Sequence, residues 1–70
     1  MIKNPTALLD KLEHHDLHLH PIFSEQRAEV FENAGRFDDG SDTHFIMQGS
    51  KVIWTGQLGC IELWVNSHFR

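Results

Sequence analysis

Gly49-Ser50 is flanked by two runs of β-forming residues, His44–Gln48 and Lys51–Thr55. A two-residue loop with Gly first suits a type II′ hairpin turn, whose twist matches that of the strands it joins. That register pairs Gln48 with Lys51, Met47 with Val52, Ile46 with Ile53, Phe45 with Trp54 and His44 with Thr55. Successive strand side chains alternate between faces and paired residues share one. Phe45, Met47, Val52 and Trp54 are therefore expected on a common side. Gly56-Gln57-Leu58-Gly59 reads as a second turn, and Cys60–Asn66 as a third strand that adds Ile61, Leu63 and Val65 to that side. A slip of one residue would turn Glu62 inward, so the apolar pattern selects this pairing.

The opposite face carries His44, Ile46, Gln48, Lys51, Ile53, Thr55, Cys60, Glu62, Trp64 and Asn66. If it is open, Ile46, Ile53 and Trp64 form an apolar patch of the kind that meets a partner, with Lys51 and Glu62 on the same face. If a loop, the terminus or a helix covers it, the patch disappears.

The chain before the hairpin supplies the cover. Asn4-Pro5 is a helix start, with Asn as N-cap and Pro at the first helical position. Leu8, Leu9 and Leu12 follow at helical spacing, which predicts a helix over Pro5–His14. Ser24 is expected to cap a second helix over Glu25–Ala34, closed by Gly35. Val30, Phe31 and Ala34 are its core residues, and Phe37 closes the corner. Asp38-Asp39-Gly40-Ser41-Asp42 is a loop in which Asp side chains bond the backbone. Its spacing is not that of an EF-hand.

Between the helices, four of the six His residues lie within His14–His20. If the helix continues, His14 and His18 sit one turn apart and could share a metal ion. If the segment is extended, Leu17 and Leu19 point inward while Asp16, His18 and His20 share the outer face. Pro21 disfavours helix at His20, and the Leu17/Leu19 alternation supports the extended form.

The predicted fold is one α+β domain spanning residues 1–70. Two helices pack on one face of a three-stranded antiparallel meander, in the order α-α-β-β-β, and residues 16–20 can add an edge strand. A chain of 70 residues buries a small core, and its single Cys cannot form an internal disulfide. With no apolar run long enough for a bilayer and no signal-peptide pattern after Met1, the expectation is a soluble, cytoplasmic protein without membrane contact. The net charge is −4. Residues 1–40 hold eight acids against four bases, so no basic patch faces a phosphate backbone and nucleic acid is not an expected partner.

No nucleophile elbow, phosphate loop, dinucleotide fingerprint or zinc-protease motif occurs. The function expected is a non-enzymatic protein–protein interaction module, of the regulator or inhibitor type found among small phage or plasmid products. It would use the sheet face to pair with itself as a homodimer or with another protein, and no cofactor is expected. Two other readings stand beside it. The cluster of His14, His15, His18 and His20 could bind metal, or Cys60, His44 and Glu62 could serve a small enzyme or enzyme subunit.

Overall fold

The computed structural model describes residues 3–69. Among them are three α-helices and a three-stranded antiparallel open sheet. The elements run α1 (Pro5–His14), β1 (Leu17–Pro21), α2 (Arg27–Ala34), β2 (His44–Gln48), β3 (Lys51–Gly56) and α3 (Ile61–His68). The sheet order is β1-β2-β3. The α+β class and the three-stranded antiparallel sheet are as the sequence predicts, but the third strand has another source. Leu17–Pro21 supplies it, pairing with β2, while the segment expected as a strand at Cys60–Asn66 is mostly helix α3.

The helix has a simple cause. Ile61 and Val65 stand one turn apart and both are fully buried, whereas Leu63 is 74% exposed. An i, i+4 pair on one helix face buries the two best hydrophobes and leaves Leu63 outside; a strand would have to bury all three. A short 3-10 turn at Leu58–Cys60 leads into the helix from the end of β3.

The placement of α3 changes the layering. The expected pair of helices on one face is replaced by cover on both faces. On one side, Leu8 and Leu12 of α1 and Ile61 and Val65 of α3 pack on Leu17, Ile46 and Trp54. On the other, Val30 and Phe31 of α2 pack on Phe45 and Val52. β2 carries the consecutive apolar residues Phe45-Ile46-Met47, a run that fits a strand buried on both faces.

Two local features tune the hairpin. Gly49 takes a φ of 65° while Ser50 does not enter the positive-φ region, as a type II′ turn requires. The pairs Gln48–Lys51 and Met47–Val52 form as expected, but Ile46 faces Trp54, Phe45 faces Thr55 and His44 faces Gly56. Ile53 is the extra residue of a β-bulge. A bulge advances the strand by one residue, so Trp54 moves from the Phe45 side to the Ile46 side.

The Trp54 ring then lies over Gly56, where an added Cβ would stand 2.5 Å from a ring carbon. Because the ring is buried, Gly56→Ala is expected to lower stability by about 1–3 kcal/mol, read from denaturant unfolding.

The caps show which local signals govern. The Asn4 side chain accepts the Ala7 N–H at 3.1 Å, as an N-cap should. Gly35 ends α2 with a φ of 68°. Ser24, by contrast, opens a 3-10 turn over Ser24–Gln26 and makes no cap bond, so α2 starts three residues later than Ser24. Phe37 is 88% exposed instead of closing the corner. Arg27 braces that region: its guanidinium donates to both Asp38 carboxylate oxygens at 2.9 and 2.6 Å and to the Asp42 carbonyl at 2.8 Å. The loop that follows is held as expected, with Gly40 and Ser41 N–H groups donating to Asp38 and Asp39.

Candidate functional site

A three-stranded open sheet has two edges, and here they are treated differently. The outer edge of β3 is met by side chains of α2 and its exit. Asn33 accepts the Val52 N–H at 3.0 Å and donates to the Ser50 carbonyl at 3.1 Å. Arg36 donates to the Thr55 carbonyl at 3.1 Å. Side chains bonded to edge backbone groups block the addition of another strand.

β1 pairs with β2 alone, and among the described residues no strand pairs with its outer edge. Its side chains alternate as the extended reading predicts: Leu17 is buried and Leu19 half-buried, while His18 and His20 are exposed. Beside this edge runs a groove of about 520 Å³ between α1 and β1. Leu9, Leu12, Leu17 and Leu19 form its apolar lining, and Glu13, Asp16, His18 and His20 also border it. Leu9 is 61% exposed there.

Asp16 turns the chain from α1 into β1 with a φ of 56°, a left-handed conformation that Asp tolerates better than most residues. Its N–H donates to the Glu13 carbonyl at 3.1 Å, closing the helix. Its carboxylate lies 3.2 Å from His18 Nε2. The end of α1 thus fixes where the exposed strand begins.

The residues singled out on the expected sheet face do not form an open surface. Ile46 is fully buried, and Ile53 and Trp64 are half-buried against the same core as Ile46. Trp64 lies on α3, 5.8 Å from Trp54 by ring centroids and stacked on His68 at 5.0 Å. Lys51 is exposed at the hairpin, opposite Gln48. Glu62 turns to the start of α1 and accepts the Lys3 and Asn4 N–H groups, each at 3.1 Å. The supposed contact face is thus an interior layer with separate polar groups beyond it. What covers it is α1 together with α3, the segment expected to be part of the sheet.

The Lys3 and Asn4 donors hold the Glu62 carboxyl below its ordinary pKa. A carboxylate with a depressed folded pKa contributes stability that is full above its unfolded value of about 4.3 and is lost as pH falls through the folded value. Glu62→Gln should therefore lower the melting temperature at neutral pH and flatten its fall in acid. Thermal unfolding of both forms across the acid range reads this directly.

The remaining candidates are dispersed. Cys60 is free and exposed in the turn before α3. His44 Nδ1 lies 2.9 Å from the Thr43 hydroxyl. His15 packs on Phe69 at 4.5 Å and His20 lies 5.4 Å from Phe45 by ring centroids. Among the described residues no three His, Cys, Asp or Glu side chains are grouped to hold a metal ion, and no helix is long and apolar enough to cross a membrane. Comparison with protein-family models, with curated proteins and with solved structures finds no match to this chain.

Proposed function

We propose that this chain is a non-enzymatic protein–protein interaction module that binds through the outer edge of β1 and the adjoining α1–β1 groove. The observation that carries the reading is the asymmetry of the sheet: side chains of α2 and its exit bond the β3 edge, while among the described residues no strand lies beside the β1 edge. A strand edge offers a row of backbone donors and acceptors, and a strand added there gains main-chain hydrogen bonds, with side-chain pockets supplying specificity. The apolar groove beside β1 is such a pocket, and Leu9 stands at it with most of its surface exposed. The exposed, unpaired thiol of Cys60 supports a reducing compartment, and the cytoplasm is the location proposed.

Two exposed leucines make the test selective. Tagged wild-type chain, Leu9→Glu and Leu63→Glu are used in parallel to capture protein from source-cell extract, with an untagged copy of the chain included as a candidate partner. A partner held by the wild type and by Leu63→Glu, but lost with Leu9→Glu, is the expected result. Retention that ignores Leu9→Glu, or that fails with Leu63→Glu, contradicts a site at β1.

A further inference from the structure

We infer that the β1 edge and its groove take an extended segment of a different protein, one that sets a Lys or Arg beside Glu13 and Asp16 and an apolar side chain against Leu9. This rests on the reading of β1 as the contact edge and names the chemistry of its occupant.

Charge selects that occupant. Leu9, Leu12 and Glu13 follow at i, i+3 and i+4 on one face of α1, Asp16 stands in the turn into β1, and all four border the groove. The two carboxylates therefore lie by the C-terminal end of α1, where the helix dipole is negative. Among the described residues no Lys or Arg borders the groove, and no hydrogen bond holds the Glu13 carboxylate. The chain's own cations are placed elsewhere. Lys11 turns to α3, where its Nζ donates to Asn66 Oδ1 at 3.3 Å. Arg27 and Arg36 are bonded to Asp38 and to the Thr55 carbonyl. Lys3 stands beside Glu62 at the start of α1, and Lys51 lies on β3, across β2 from β1. Of the imidazoles, His18 lies 3.2 Å from Asp16, while His15 packs on Phe69 and His14 on His15. Glu13 is left for a cation from outside.

A second copy of the chain fits less well. Its β1 offers no Lys or Arg, and each copy brings the same carboxylates and a net charge of −4, so the two repel.

Geometry sets the spacing in the partner. Leu9 and Glu13 are four residues apart on α1, about 6 Å along its axis. Side chains on one face of a strand recur every two residues, about 6.8 Å. A strand laid along the groove meets both with its side chains i and i+2. The recognised sequence is a basic residue, any residue and an apolar residue, or the reverse.

Random peptides of about eight residues, long enough to span β1, are displayed on phage and selected on the immobilised full chain. Enrichment of Lys or Arg two positions from Leu, Ile, Val or Phe is the expected result. By fluorescence anisotropy, the enriched peptide should bind about fivefold more weakly to Glu13→Gln/Asp16→Asn and over about tenfold more weakly to the neutral variant Leu9→Gln. Asp10→Asn/Glu25→Gln removes the same charge away from the groove and should stay within about twofold of wild type. Asn tolerates the left-handed backbone at position 16, so the fold is kept and the melting temperature verifies it. No enrichment overturns the inference. Leu9-dependent peptides without a basic preference, or unmoved by Glu13→Gln/Asp16→Asn, overturn the assignment of a basic partner alone. Binding indifferent to Leu9→Gln overturns the edge reading itself.

Discussion

Ile61→Ala is expected to destabilise the chain by about 2–5 kcal/mol, while Leu63→Ala changes stability by no more than about 0.5 kcal/mol. The contrast comes from geometry. Ile61 is fully buried beneath α3, so truncation removes apolar contact and leaves a cavity in a core that also holds Ile46, Trp54 and Val65. Leu63 points away from that core and loses little. A strand over these residues would give the two substitutions similar and large costs, since both would share a buried face. Urea denaturation of the two variants, with midpoints and slopes compared with wild type, separates the cases. Total stability for a chain of this size is on the order of 4–10 kcal/mol, so Ile61→Ala should leave a visible unfolded fraction at warm temperatures.

Phe31→Ala is expected to cost about 3–5 kcal/mol, and it tests the second layer. Phe31 of α2 is buried with Val30, Phe45 and Val52, on the side of the sheet away from Ile61. Both substitutions in one chain should add to within about 0.5 kcal/mol of the sum, because the two residues lie in separate clusters without shared partners. Strong coupling between them would mean that the sheet does not divide the interior into two cores. Because the double variant nears the full stability of the domain, the additivity is best read in a stabilising osmolyte.

Much of this fold is legible in local sequence. Asn4-Pro5, the leucines after it and Gly35 mark helix ends through effects that act within one turn. Gly49-Ser50 sets the hairpin because its backbone geometry is local too. Leu17 and Leu19 announce β1 by alternation, and Pro21 marks its end. The Cys60–His68 segment is different. Ile61, Leu63 and Val65 satisfy a period of two, while Ile61 and Val65 also satisfy the helical period, and so short an apolar run fits either. The choice is made by the core that Ile61 and Val65 enter with Leu8, Leu12, Ile46 and Trp54, which is long-range information. The bulge at Ile53 is likewise invisible in composition, yet it moves Trp54 from one core to the other.

The site follows the same division. The exposed character of His18 and His20 is readable from alternation, and residues 16–20 read as an edge strand; that the β3 edge is bonded by side chains while this one is not is invisible in the sequence. An edge exists only once the strand order is known, and β1 lies outside because it pairs with β2 alone. Ile46, Ile53 and Trp64 were attractive as a contact patch for the complementary reason. Apolar residues on a second sheet face look like a docking surface until the helix that covers them is in place.

Amide hydrogen exchange, followed residue by residue across the sheet as the basic peptide is added, tests the role of β1 most directly. Slowed exchange within Leu17–Pro21 on association, with Lys51–Gly56 unchanged, is the expected result, since the β3 edge is already occupied by Asn33 and Arg36. Association that leaves the β1 amides unchanged, or that slows exchange at β3 instead, would contradict the assignment of β1 as the contact edge.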